Sequence, residues 1–275
     1  MKGNGYANGM RLEAQHCPVR DICSLAFFCG KQLDDGRYIL PNITSIDRRE
    51  MLWTDLSTRR QVYVVRSGLL VSKCFSNEGT EMPDGLSPVG FAGGVSDVCV
   101  PYVASDFYFF AGLVPSQVCI FDGDRVIEQI NSLGLPEVPQ FIARLTMNQA
   151  TAAYGQRLTF AHQRARDKVA SVLLRLEAAL ARDPSFNGAL LLAHDEIAFL
   201  AGTERATTSR QLKAFARDGL IDLSYRRIVV KPALRERFGG FIEANLPFYD
   251  KDGTRFYPFE PTGRVTAFSE ACAQR

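Results

Sequence analysis

Residues 194–232, HDEIAFLAGTERATTSRQLKAFARDGLIDLSYRRIVVKP, restrict the fold of this chain more than any other stretch. His194 or Asp195 can cap a first helix whose apolar residues are Ile197, Ala198, Leu200 and Ala201. Gly202 ends it, because glycine enters the left-handed backbone region at little cost. A second helix opens near Thr203–Glu204 and runs to Asp218, with Gly219 as its stop. Leu212 and Phe215 form its inner side, with the small residues Ala206 and Thr208 above them. The outer side carries Arg205, Thr207, Ser209, Arg210 and Lys213. Ile221–Leu223 and Ile228–Val230 read as two short strands, with Tyr225-Arg226-Arg227 at the tip between them.

This order of elements predicts a winged helix-turn-helix, in which the second helix enters the major groove of double-stranded DNA. Residues 205–231 hold seven Lys/Arg against two Asp, net +5, whereas the whole chain is only +2. The positive charge is thus concentrated where phosphates would lie. A helical hairpin with a solvated basic face would explain the charge alone. It would not explain the wing that follows.

The stretch resembles the C-terminal domain of the Crp/Fnr superfamily of bacterial transcription regulators. The residues that carry the resemblance are Asp195-Glu196-Ile197-Ala198, Gly202, the run Thr207-Thr208-Ser209-Arg210, and Asp218-Gly219-Leu220-Ile221 leading into the wing. The sequence departs from the family pattern at three places. Thr208 stands where a buried aliphatic is usual, Gln211 replaces another, and Ala206 stands where Glu is frequent. The resemblance implies an α+β chain: a β-barrel or jelly-roll sensor domain, a long dimerisation helix and the C-terminal winged helix-turn-helix. It implies a homodimer on two-fold related DNA half-sites, with RNA polymerase as a further candidate partner.

The rest of the chain is compatible with that plan. Its 275 residues can hold two modest domains. No apolar run approaches the ~20 residues of a membrane span, and the N-terminus lacks an apolar signal core, so we expect a cytoplasmic protein with no membrane partner. Residues 1–47 form a cysteine-containing segment, Gly- and Asn-rich at the start. Residues 48–136 read as the β-rich sensor, with short runs at Met51–Trp53, Gln61–Val65, Leu69–Cys74, Val98–Val103, Phe107–Leu113 and Val118–Phe121. Turn signals separate them at Ser67-Gly68, Asn77-Glu78-Gly79, Pro83-Asp84-Gly85, Gly93-Gly94, Pro115-Ser116 and Asp122-Gly123. Residues 137–163 carry a helical seam of Phe141, Ile142, Leu145, Ala152, Gly155 and Leu158, which the resemblance identifies with the dimer helix. Residues 164–238 make the DNA-binding domain, opened by a helix over 164–181. The tail 239–275 is rich in aromatic residues.

Two features bear on what a sensor domain would bind. Cyclic-nucleotide members of the family hold a Gly-Glu pair for the ribose and an Arg for the phosphate. The matching region here, SPVGFAGGVSDVCVPYVASDFYF, contains no Glu, Arg or Lys. A buried phosphate without a cation is strongly disfavoured, so a cyclic nucleotide is not the expected effector. Cys17, Cys23 and Cys29 are evenly spaced, with five residues between successive cysteines, and Cys119 follows in a strand. The four resemble the set that holds an oxygen-labile iron–sulfur cluster in the Fnr branch, although the usual short Cys-x2-Cys step is missing. Zinc, a reversible disulfide, buried thiols without metal, or gating by a small organic ligand in the barrel remain the alternatives. Thiolates of low pKa would make such a site reactive. There is no phosphate loop, nucleophile elbow or metal-protease motif, and we expect no enzyme.

Overall fold

The computed structural model describes residues 17–26, 28–33, 35–52, 61–76, 78–94, 108–132, 150 and 152–239. Two four-stranded antiparallel sheets form the N-terminal part. The first contains β1 (Asn42–Ile46), β3 (Gln61–Ser67), β6 (Ala92–Gly93) and β8 (Ser116–Asp122), in the order β1-β8-β3-β6. The second contains β2 (Met51–Leu52), β4 (Leu70–Phe75), β5 (Glu81–Ser87) and β7 (Tyr108–Gly112), in the order β2-β7-β4-β5. Among the described residues the barrel is not closed, and the arrangement is jelly-roll-like.

Side-chain alternation decides what each sheet face covers. Tyr63, Val65 and Val118 of the first sheet meet Leu52, Leu70 and Phe110 of the second in an inner core, with the Tyr63 and Phe110 rings edge-on at 4.8 Å. The opposite face of the first sheet presents Val62, Val64 and Phe121 to Leu25, Phe28 and Ile39 of the N-terminal segment. The opposite face of the second presents Leu69, Val71 and Ala111 to the C-terminal helices. Both sheets are therefore covered on both sides, which is why β3 and β4 read as continuous apolar runs.

Several elements differ from the reading of the sequence. Strand β1 lies inside the stretch assigned to the cysteine segment and pairs with β8. Pro83-Asp84-Gly85 is not a turn: it lies within β5, opposite an irregularity in β4 between Ser72 and Lys73. β5 is an edge strand, where a proline need not donate to a ladder. Asp122-Gly123 opens helix α1 (Gly123–Asn131) instead of making a turn. Asp122 caps it by accepting hydrogen bonds from the amides of Asp124 and Arg125, at 3.0 and 3.4 Å. The strand read at Val98–Val103 and the residues Phe141, Ile142 and Leu145 of the seam lie outside the described residues. So do Phe107, most of the segment read against cyclic nucleotides, and the tail beyond 239.

Helix α2 is described over 152–161. Its small residues meet this chain's own elements. A Cβ on Gly85 would come within 3.0 Å of Ala152, and one on Gly155 within 3.2 Å of the Arg175 guanidinium. Helix α3 (Ala165–Leu180) buries Val169, Val172, Leu173, Leu176 and Leu180. Arg175, also buried, donates to Gln156 Oε1 at 3.1 Å and to Thr159 Oγ1 at 2.9 Å. Gln156 in turn donates to the carbonyl of Leu200 at 2.7 Å. This network ties α2 to the helix-turn-helix through polar groups that have no water to fall back on.

Candidate functional site

The helix-turn-helix consists of α4 (His194–Ala201) and α5 (Arg205–Arg217). Neither His194 nor Asp195 caps α4. Ala193 holds that place, and its amide donates to Glu196 Oε2 at 2.8 Å. Alanine has no side-chain acceptor, so only the glutamate arm of a capping box forms. Gly202 ends α4 at φ 57° and ψ 47°, as the sequence predicts. A Cβ there would lie 2.8 Å from the Phe160 ring, so the turn also packs against the end of α2.

α5 divides into two faces. Thr208, Leu212 and Phe215 are buried, while Arg205, Arg210 and Lys213 are exposed. Ala206 is exposed and does not join the inner face. Thr208 solves the problem of a hydroxyl at a position expected to be aliphatic: its Oγ1 pairs with Thr203 Oγ1 at 2.7 Å. On the outer face Arg210 donates to Thr207 Oγ1 at 3.1 Å. Ser209 Oγ is 2.8 Å from His194 Nδ1 of α4. Burial, then the charges of Arg205 and Lys213, hold His194 below its usual pKa, and Asp195 partly opposes this.

The wing is the hairpin β9 (Ile221–Ser224) and β10 (Arg227–Val230). Its tip is Tyr225-Arg226, since Arg227 already belongs to β10. Arg226 has φ 52°, and its guanidinium lies 5.6 Å from the centre of the Tyr225 ring. Tyr225 is 88% exposed, so the tip stands clear of the body. Not every cation of the stretch faces outward alone. Lys231 pairs with Asp222 at 2.6 Å, and Asp218 takes Arg166 at 2.8 Å. The charges presented on α5 and the wing are those of Arg205, Arg210, Lys213, Arg226 and Arg227, with Arg217 at the end of α5 beside Asp218 at 3.8 Å. A helix after the wing, α6 (Pro232–Phe238), was not foreseen; it closes the core with Leu234 and Phe238.

The four cysteines lie at the other end of the molecule's layers. Cys23 and Cys29 pack against the cluster that contains Leu25, Phe28 and Cys119, while Cys17 packs beside Val19 and Ile46. They sense one another electrostatically. Burial pushes Cys23 up to about 12, with Cys29, Cys119 and Cys17 adding to it against a backbone hydrogen bond from Leu25. Burial likewise raises Cys29 and Cys119 to about 11. Arg66 works against this at both, and it occupies an irregularity of β3 between Val65 and Ser67. Bulges commonly re-aim a side chain in this way. These three thiols are therefore held protonated, contrary to the low-pKa thiolates expected. Among the described residues, no group of three or more His, Cys, Asp or Glu side chains is arranged to hold a metal ion. No helix among them is long and apolar enough to cross a membrane.

Comparisons with known proteins agree with this geometry. Residues 167–237 match the family model described as a Crp-like helix-turn-helix domain. The chain is similar to Electron transport regulator A of Shewanella oneidensis, with 21% identity over 82% of this chain and 88% of that protein. It is similar to the transcriptional regulatory protein btr of Bordetella pertussis, with 25% identity over 82% of this chain and 95% of the other. In fold it is similar to FixK2 of Bradyrhizobium japonicum, with TM-score 0.59 and 17% identity over 74% of this chain and 98% of that one. TTHB099, a regulator of the CRP family from Thermus thermophilus, gives TM-score 0.56 and 18% identity over 71% and 96%. Residues 167–237 are thus a Crp-like helix-turn-helix domain, and with antiparallel sheets ahead of it the chain has the fold of the solved CRP-family regulator and of FixK2.

Proposed function

We propose that this chain is a DNA-binding transcription regulator of the Crp/Fnr type that acts as a homodimer, with α5 of each copy in the major groove of one half-site and the wing on the flanking phosphates. The observation that supports this most is the division of α5. Thr208, Leu212 and Phe215 fix the helix from within, leaving Arg205, Arg210 and Lys213 outward. Arg205, Thr207, Ser209 and Arg210 are the candidates for base edges, and Lys213, Arg226 and Arg227 for phosphates. An arginine paired with guanine discriminates by roughly 1–3 kcal/mol. Arg210→Ala should therefore lose discrimination between the preferred site and random DNA. Arg226→Ala should weaken both alike and flatten the salt dependence. Binding curves against a site selected from a random library read both. Unchanged sequence preference in Arg210→Ala would refute the role given to α5.

For the signal, we favour thiolate chemistry at Cys17, Cys23, Cys29 and Cys119. In favour of a four-thiolate group stands the shared neighbourhood of all four sulfurs. Against it stands the lack of converged ligands, so ligation needs these side chains to reorient. An iron–sulfur cluster held there would supply oxygen-sensitive redox chemistry. The chain's own part is to release protons from buried thiols and to tie the N-terminal segment to β8. Iron analysis and absorption spectra of protein purified without oxygen decide, with Cys23→Ser and Cys119→Ser compared against Cys74→Ser. A second reading, gating by a small organic ligand, is favoured by an open cavity of about 590 Å³ lined by Arg66, Gln117 and Asp183 among others. Colourless, metal-free protein whose DNA binding ignores oxygen would move the preference to it.

A further inference from the structure

We propose that the N-terminal sandwich sets DNA affinity through a charge clamp: Arg49, in the turn between β1 and β2, neutralises Asp195 at the entrance of the helix-turn-helix. This rests on the DNA-binding reading above, but it assigns a determinant of affinity outside the DNA-binding domain.

The contact has several parts. Arg49 Nη2 lies 2.6 Å from Asp195 Oδ2, and Arg49 Nε lies 3.5 Å from Glu196 Oε1. Its neighbour Arg48 lies 3.5 Å from Glu196 Oε2 and donates to the carbonyl of Leu191. The backbone is shaped for this. Arg49 has φ 67°, a left-handed conformation that a side chain with a Cβ adopts at a cost. Such conformations persist where surrounding structure over-determines them. Here the Arg49 amide donates to the carbonyl of Gly112 at 2.7 Å, and the Gly112 amide donates to Glu50 at 2.9 Å. A Cβ on Gly112 would meet the Asp47 carbonyl at 2.3 Å, so the turn is pressed against β7.

The position of Asp195 gives the contact a consequence. Burial raises its carboxyl, but a hydrogen bond from its own backbone and the bond and charge of Arg49 leave it below the usual range, with Arg205 contributing. Asp195 is also felt by His194, the partner of Ser209. It thus stands among the residues assigned to the DNA-facing side. A carboxylate there without Arg49 would repel an approaching phosphate. With Arg49 in contact, the two charges cancel. An exposed ion pair contributes little to holding domains together, and the core shared by β4, β7, α3 and α5 does that already. The clamp acts on the sign of charge at the interface, which governs encounter and affinity for a polyanion.

The turn is also joined to the cysteine segment. Strand β1, which leads into it, places Ile43 opposite Cys119 of β8, and its last residue Ile46 packs with Val19 and Cys17. A change in the packing of that segment would reach Arg49 through one short strand.

The test is fluorescence anisotropy of the full chain on a random-sequence DNA duplex at low salt. It compares the wild type with Arg49→Ala, Arg49→Lys, Asp195→Asn and the double variant Arg49→Ala/Asp195→Asn. Coupling energies of this kind correspond to about fivefold or more in affinity, so Arg49→Ala should bind roughly five- to tenfold more weakly. Arg49→Lys should stay near wild type. The double variant should return to within about twofold of Asp195→Asn, because the two residues act as one pair. Tighter binding by Arg49→Ala would overturn the proposal by showing that the contact restrains the domain. A double variant as weak as Arg49→Ala would overturn it by showing that Arg49 touches DNA itself. Unchanged affinity in Arg49→Ala, with wild type bound, overturns the clamp alone. Wild-type protein that binds no duplex removes the DNA reading and the clamp with it.

Discussion

Helix α5 and the cysteine segment differ in where their polar contacts come from. The polar contacts that set α5 come from neighbours close in sequence: Gly202 ends the helix before it, Thr203 pairs with Thr208, and His194 holds Ser209. The cysteine segment is fixed by neighbours far away. Ser24 donates to the carbonyl of Gly90 at 2.6 Å, and Leu25 and Phe28 pack on Val62, Val64 and Phe121. Local order leaves charged side chains outside and ready for a partner. Long-range order buries the reactive groups and turns them inert. A device that has to read DNA needs the first arrangement. One that responds to a signal by loosening can use the second.

The largest effect should come from emptying the two cores in turn. Phe215 and Phe28 are both fully buried, one against Phe238 at 5.8 Å and the other against the first sheet. Truncating a buried phenylalanine to alanine costs about 3–5 kcal/mol. Phe215→Ala should abolish DNA binding and lower the melting temperature of the whole chain, because α5 shares its core with β4 and β7. Phe28→Ala should free the cysteines, speeding their alkylation by iodoacetamide, while leaving DNA binding in place. Equal loss of DNA binding in both variants would erase the distinction between the regions.

What could be read from the sequence follows the same division. The turn at Gly202, the inner residues Leu212 and Phe215, and the hairpin around Tyr225-Arg226 are set by local backbone chemistry, and they were legible. Strand β1 was not, because NITSI is an edge strand with three exposed positions and one buried one. Pro83-Asp84-Gly85 carries the local signal of a turn, yet pairing with β4 overrides it. The burial of Cys23 depends on β3, which starts 38 residues later, and the contact of Arg49 with Asp195 spans 146 residues. No spacing rule reaches that far. Nothing near Arg48 and Arg49 in the sequence marks them, and only the fold brings them to α4.

A smaller effect should come from the turn itself. Gly202→Ala adds a Cβ at φ 57°, which costs about 1–2 kcal/mol for the backbone alone. The new atom would also lie 2.8 Å from the Phe160 ring, so α2 has to shift. The variant should melt lower and bind DNA more weakly, with the folded fraction at room temperature little changed. A comparable variant at Gly79, which has φ 77° but nothing within 4 Å of the added atom, carries the backbone cost without the clash. The two melting curves separate strain in the turn from its packing on α2. Identical losses would mean that α2 does not steady the helix-turn-helix.

The smallest effect is electrostatic and concerns His194. In the free protein its pKa lies below 6.5, first through burial and then through Arg205 and Lys213, with Asp195 acting the other way. A depressed value means that the unfolded chain binds the proton more readily than the folded one. Stability is thus complete above about pH 6.5 and declines as pH falls through the folded value. DNA reverses the sign. Phosphates beside Arg205 and Lys213 should offset the part of the depression that those two charges add to burial, so the complex should take up a proton that the free protein lacks. Affinity should therefore rise between about pH 7.5 and pH 5.5, by less than about tenfold, since one pKa unit of differential protonation is at most that. His194→Gln keeps a polar partner for Ser209 and cannot titrate. It should bind DNA with the same strength at both ends of that range, and the acid-side loss of thermal stability should shrink. If the pH dependence of affinity survives in His194→Gln, the proton is taken up elsewhere, and the pairing of His194 with Ser209 only positions the serine.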